Sequence, residues 1–189
     1  MSARGAYSGN MPRQHIKEAT IGPRVLDLIH SDICRPMSTR ALSDTEYFVT
    51  FIDDHSRKTW IYFLKTKDEF FSRFKEFKAL VENLTGKRIK VLRSDNGGEY
   101  IDKEFTGFCA REGIKREWTT PYNPEHNGVA EKKNRTIVEA TRAMLYDQDM
   151  PKFLWAKACT TTVDIQNRTP HTALGKITQK VSSLPASLK

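Results

Sequence analysis

The segment YFVTFIDD, residues 47–54, is almost unbroken in apolar residues and leaves no wet face. Such a run fits a central strand buried on both sides, which needs a layer of structure above and below it. After the short polar link His55-Ser56-Arg57 comes a second strand-like run, KTWIYFLK (58–65), so the two predict an antiparallel hairpin. Upstream, VLDLIHSDI (25–33) alternates in part and is rich in branched residues, predicting a strand that ends near Asp32.

The pattern then changes period. Phe70, Phe71, Phe74, Phe77 and Val81 recur at three- and four-residue steps and predict a helix over 67–84, closed by Thr85-Gly86. IKVLRSD (89–95) predicts a fourth strand, 103–112 a short helix carrying Phe105, Phe108 and Cys109, and IKREWT (114–119) a fifth strand. TPYNPEHNG (120–128) collects Pro, Asn and Gly into a loop. A long helix follows over about 127–146, with Ile137, Ala140, Met144 and Leu145 as its apolar stripe. Pro151 opens a last helix that packs through Phe153, Leu154, Ala158 and Val163.

This order predicts an α/β domain with a mixed five-stranded sheet, three strands antiparallel and two added in parallel, flanked by helices. Residues 1–22 lack periodicity and are expected to be a flexible leader. The core is expected over 23–173 and an irregular tail over 174–189.

At 189 residues and 38% hydrophobic content the chain suits one folded domain. No apolar run approaches the roughly 20 residues of a membrane span, and the first residues have no apolar core like that of a secretory signal. Lys and Arg outnumber Asp and Glu by 31 to 23, and the surplus suits a polyanionic partner such as nucleic acid. Cys34, Cys109 and Cys159 are far apart with no CxxC pair, which predicts free, buried thiols and no structural zinc.

Three acidic residues stand out by position. Asp32 is placed at the end of the first strand, Asp95 at the end of the fourth, and Glu131 in the first turn of the long helix, with 35 residues between the last two. If the first and fourth strands are neighbours, the carboxylates converge. Clustered carboxylates repel one another, and divalent cations relieve that repulsion. An all-oxygen set favours Mg²⁺, with Mn²⁺ as a substitute, and a pair of such ions can activate the attacking and stabilise the leaving oxygen of a phosphodiester. From spacing alone, the three also fit ordinary surface acids.

The motifs HSD, FIDDHSRKTWIYFLK, LRSDNGGEY, TPYNPEHNGVAEKKNRT and LWAKA…NRTP together resemble the integrase core of copia-type retrotransposons, over roughly residues 25–173. That resemblance implies a ribonuclease-H-like fold and a catalytic pattern of Asp, Asp, 35 residues, then Glu. It implies that Asp32, Asp95 and Glu131 hold two Mg²⁺ ions for 3′-end processing and strand transfer of retroelement DNA. It also implies multimeric action and a nuclear location, or otherwise a cytoplasmic particle. Two departures accompany it. Arg35 stands where the family form has Gly, which predicts a strained turn and a positive charge near Asp32. The leader holds His15 and no cysteine, so the zinc-binding module expected before such cores, like the large domain expected after them, is not found, and a fragment or domesticated remnant is expected.

Around the acids, Gly97 and Gly98 are expected to turn the backbone sharply, and Glu99 to be solvated or capping. Tyr122, Asn123 and Asn127 are candidate DNA contacts from the loop, with His126 a weaker candidate proton shuttle. Lys132, Lys133, Asn134 and Arg135 are candidate DNA contacts from the helix, with Asn134 and Arg135 on the Glu131 face. Asp53 and Asp54 are decoys for the acidic pair, and Asp54 is expected to close the hairpin turn. Two alternatives to the strand-transfer enzyme stand: a nuclease of the same fold, and a remnant that binds DNA or a partner without catalysis.

Overall fold

A computed structural model describes residues 23–119 and 124–169, with side chains placed at all of them except 124–127. The predicted leader, Tyr122, Asn123 and the tail from residue 170 lie outside the described residues. Five strands form one sheet: β1 (Leu28–Cys34), β2 (Tyr47–Asp53), β3 (Thr59–Leu64), β4 (Val91–Ser94) and β5 (Lys115–Trp118). Their order is β3-β2-β1-β4-β5, antiparallel through the first three and parallel from β1 to β4 to β5. The helices are α1 (Phe70–Thr85), α2 (Gly98–Ile101), α3 (Lys103–Arg111), α4 (Pro124–Asp147) and α5 (Trp155–Arg168).

Side chains alternate across a strand, so the sheet sorts its residues into two cores. Ile29, Val49, Phe51 and Leu92 face one side, where Phe70, Phe74, Phe77 and Val81 of α1 and Phe105 and Cys109 of α3 cover them. Aromatic rings dominate this side: Phe51 stacks on Phe77 at 4.3 Å, and Phe74 meets Phe105 edge-on at 5.2 Å. The other side packs Phe48, Ile61 and Phe63 against Ile137 and Leu145 of α4 and Trp155, Ala158 and Cys159 of α5. The central run at 47–54 is therefore buried on both faces, as its composition demands.

Several elements depart from their sequence-based limits. β1 runs past Asp32 to Cys34, because β2 keeps pairing with it as far as Cys34↔Phe48. The four-residue α2 is too short to leave a periodic signature. α4 starts at Pro124, three residues early, since proline suits a first helical turn and the expected loop is therefore partly helical. Its buried stripe is Ala130, Asn134, Ile137, Thr141 and Leu145, whereas Ala140 and Met144 are only half-buried. A short 3₁₀ turn, Lys152–Leu154, precedes α5. It leaves Phe153 42% exposed, and Trp155 fills the core in its place, its indole N–H donating to the Thr39 carbonyl at 3.0 Å.

Polar side chains lock the sheet edges. Asp54 stands in the hairpin turn, as expected, and fully buried Asp53 braces it: one oxygen accepts from the Ser56 N–H and hydroxyl, the other from the Leu26 N–H. Asp54 pairs with His30 at 2.9 Å and Arg57 at 3.1 Å. Asn167, from the NRTP motif, clasps the edge strand β3 by accepting from the Thr59 N–H and donating to its carbonyl. All three cysteines are free thiols, and no helix among the described residues is long and apolar enough to cross a membrane.

The aromatic core sets a stability expectation. Phe74→Ala, at a fully buried site ringed by five aromatic partners, is expected to cost about 3–5 kcal/mol in urea unfolding. Leu84→Ala, at an exposed helix position, is expected to cost less than about 0.5 kcal/mol. Equal losses would mean that the helix does not pack on this face.

Candidate active site

The pairing of β1 with β4 places the first two acids. Its register is Leu28↔Val91, Ile29↔Leu92 and His30↔Arg93, a constant offset of 93 − 30 = 63. Two residues further on, the same offset sets Asp32 level with Asp95, just past the end of β4. A period of two keeps both side chains on the face of His30 and Arg93. Asp95 is tethered locally: its Oδ1 accepts from the Gly97 N–H at 3.1 Å.

Glu131 comes from α4, which packs on β1 and β2. Because α4 begins at Pro124, Glu131 is its eighth residue, beyond the first turn in which the helix dipole acts strongly. Its side chain is exposed. One turn on, Asn134 is only 3% exposed and turns inward. Its Nδ2 donates to Asp32 Oδ2 at 3.0 Å, and its Oδ1 accepts from the Thr50 hydroxyl at 2.8 Å. Asn134 thus departs from the surface position expected of it, because the apolar-and-polar buried stripe of α4 passes through it.

The electrostatics show how close the acids come. Burial pushes Asp32 up from 3.8 to about 6; the Asn134 hydrogen bond opposes this, and the negative charges of Asp95 and Glu131 add to it. Both acids therefore lie within electrostatic reach of Asp32. They do not close into a finished cage: among the described residues no three His, Cys, Asp or Glu side chains are gathered tightly enough to hold an ion. The convergence is one of region, not of ligand shell. In chemistry the set fits a hard dication, since it offers only oxygen donors and a half-buried carboxylate whose pKa is raised first by burial and further by its acidic neighbours.

The neighbouring candidates separate clearly. Lys132 and Arg135 are exposed on α4, whereas Lys133 is half-buried and its pKa is lowered by burial to about 8. The side chains of His126 and Asn127, like Tyr122 and Asn123, are outside the described residues. Gly97 and Gly98 do not adopt positive φ; at Gly97 a Cβ would come within 2.9 Å of the Glu99 carboxyl group, so the missing side chain makes room for Glu99. Glu99 in turn faces Lys67 at 3.4 Å. Arg35 is not strained and turns away from Asp32, pairing with Glu46 at 3.1 Å and stacking on Tyr47. Thr50 was not singled out from sequence, although a lone hydroxyl within an apolar run signals a buried hydrogen bond.

A five-stranded mixed sheet with this order and helices on both faces is a ribonuclease-H-like fold. Solved structures agree: a chain of the simian T-cell lymphotropic virus intasome in complex with PP2A regulatory subunit B56 gamma aligns with a TM-score of 0.71 and 20% identity, over 97% of this chain and 62% of that one. The HTLV-2 integrase catalytic core domain in complex with magnesium, in its trimeric form, aligns with a TM-score of 0.63 and 18% identity, over 86% and 99%. The integrase core domain family matches residues 23–124, more than half of the chain, and the chain belongs to that family. It is 52% identical over 150 residues to the retrovirus-related Pol polyprotein from transposon TNT 1-94 of Nicotiana tabacum, covering 79% of this chain and 11% of that protein. It is 37% identical over 145 residues to the corresponding polyprotein from transposon RE2 of Arabidopsis thaliana, covering 77% and 10%. The chain thus spans about a tenth of the length of these relatives.

The raised Asp32 pKa fixes the sign of a stability test. A carboxyl group with a folded-state pKa above its unfolded value lowers stability as pH rises from about 3.8 through about 6, and no further above that. Asp32→Asn keeps an acceptor for Asn134 and carries no charge. In EDTA at pH 7.5 it is expected to unfold about 2–3 kcal/mol harder than the unmutated chain, with the gain vanishing near pH 4. Urea titrations at the two pH values check this, and a variant less stable at pH 7.5 would contradict the burial argument.

Proposed function

We propose that this chain acts as the catalytic core of a retrotransposon integrase, carrying out 3′-end processing and strand transfer on DNA, with Asp32, Asp95 and Glu131 as the ligands of two Mg²⁺ ions. The observation that carries this reading is the level placement of Asp32 and Asp95 on adjacent strands, with Glu131 of α4 within electrostatic reach. Family membership and the polyprotein relatives support it. When bound, the ions supply charge neutralisation at the phosphate and activation of the attacking oxygen.

The chain's own residues have distinct parts. Asp32 and Asp95 are supported by the sheet, so their spacing is set by strand pairing. Asn134 holds one Asp32 oxygen through its N–H. Glu131 approaches from a helix packed on β1. Exposed Lys132 and Arg135 flank it and supply positive charge for the phosphates beside the scissile one; half-buried Lys133 is less suited to that contact. In the first reaction a water oxygen attacks phosphorus and the bond to the 3′-oxygen breaks, leaving a 3′-hydroxyl. In the second, that hydroxyl oxygen attacks a phosphorus of target DNA and expels a target 3′-oxygen. Each step exchanges one P–O bond for another, so orientation and charge stabilisation are the whole task. DNA ends, target DNA and further copies of the chain are the proposed partners, and the nucleus the proposed site of action.

Disintegration of a branched oligonucleotide by the 189-residue chain tests the proposal. Mg²⁺-dependent joining is expected, with Mn²⁺ as a substitute. Asp95→Asn and Glu131→Gln are each expected to lower the rate by at least about a thousandfold with an unchanged circular dichroism spectrum. Residual activity near that of the unmutated chain in either variant would remove these residues from the mechanism. DNA binding without joining by the unmutated chain would favour the non-catalytic alternative.

A further inference from the structure

Thr50 is the one polar side chain on the α4 face of β2, where Phe48 and Ile52 are its companions, and it is completely buried. It is the direct cross-strand partner of Asp32. Its hydroxyl donates to Asn134 Oδ1 at 2.8 Å, and the same amide donates from Nδ2 to Asp32 Oδ2 at 3.0 Å. A hydroxyl, an amide and a carboxylate thus form a chain of hydrogen bonds across two strands and a helix, β2, α4 and β1.

The order of donors in that chain matters. A carboxamide has nearly equal ends in shape, and its neighbours decide which end points where. The anionic Asp32 calls for the N–H₂ end. The carbonyl end then faces the strand interior, where a buried acceptor without a donor is costly. Thr50 supplies that donor. Without it, the Asn134 carbonyl is drawn away from the sheet in search of one, and the Nδ2 contact to Asp32 is lost with it. Other residues around Asn134 on α4, Ala130 and Ile137, offer no substitute donor.

We propose that Thr50 is a positioning residue for the ion site: by satisfying Asn134 Oδ1 it keeps the Asn134 N–H on Asp32 and so holds that carboxylate in its ion-binding orientation. The inference rests on the reading of Asp32 as a Mg²⁺ ligand. Partners of this kind, one step removed from a metal, commonly govern affinity because they orient the ligand.

The test is the Mg²⁺ dependence of thermal unfolding of the 189-residue chain, using magnesium chloride alone, alongside disintegration rates across the same concentrations. Thr50→Val keeps the shape and removes the hydroxyl; its Mg²⁺ midpoint is expected to rise about tenfold or more, in both measurements, while the rate at saturating Mg²⁺ stays within about threefold. Thr50→Ser keeps the hydroxyl and is expected to restore the midpoint to within about twofold. Combining Thr50→Val with Asn134→Ala is expected to shift the midpoint no further than Asn134→Ala alone, because both break one chain of contacts. A Thr50→Val chain that melts at a lower temperature but keeps the original midpoint would overturn the inference and leave the integrase reading standing. An unmutated chain whose melting and joining both ignore Mg²⁺ would overturn that reading and the inference with it.

Discussion

The parallel contact between β1 and β4 is the constraint on which the molecule depends. These strands are separated in the chain by the β2–β3 hairpin and the whole of α1, so their pairing is non-local and local propensity cannot secure it. What secures it is the aromatic layer beneath. Ile29 of β1 and Leu92 of β4 are register partners, and both are sealed into the cluster built by Phe51, Phe70, Phe74, Phe77 and Phe105. A one-residue slip would turn Ile29 or Leu92 onto the wrong face. The same slip would separate Asp32 from Asp95. Core packing on one side of the sheet thereby fixes the acid spacing on the other.

The opposite face is organised differently. Where α1 and α3 bury phenylalanine, α4 buries Asn134 and Thr141 within its stripe, and both are hydrogen-bonded, to Asp32 and Thr50 and to the Cys159 thiol. Buried polar contacts of this kind contribute little net stability but penalise every alternative placement, because each displaced donor or acceptor is left dry. They fix how α4 sits on the sheet, and with it where Glu131 lies. The raised pKa of Asp32 shows the accompanying cost: an ionised carboxylate is kept half-buried among like charges, an arrangement that disfavours the ionised apo state and favours whatever positive charge the site receives.

Much of this was legible in the sequence, for reasons that differ by element. The hairpin and the α1 stripe announce themselves because strong apolar periodicity is read by the core directly. The neighbouring of the first and fourth strands follows from a short list of allowed topologies. The level placement of Asp32 and Asp95 was visible in outline, although β1 continues beyond the expected end. The failures cluster on α4 and its flanks. Its start was placed late because Pro, Asn and Gly imitate a loop, whereas Pro124 opens the helix. Asn134 was grouped with surface cations by its charged neighbours, since spacing alone does not say which side of a mostly polar helix meets the sheet. Phe153 was expected inside on composition, but Trp155, two residues on, fills the core instead, and its indole N–H also donates to the Thr39 carbonyl.

These failures share a physical origin. Apolar burial writes a periodic signal into sequence, but buried polar pairs join residues with no pattern between them: Thr50 and Asn134 are 84 positions apart, Asn134 and Asp32 102. Each member looks like an ordinary surface residue until the partner is in view. A site that depends on such pairs is therefore the least legible part of the chain and also the part most sensitive to single-atom changes. Replacing one hydroxyl by a methyl group at Thr50 leaves the apolar pattern of β2 intact, indeed improves it, while breaking the link between β2, α4 and Asp32. The sheet would still form. The orientation of one carboxylate is what would change, with the rest of the fold left in place.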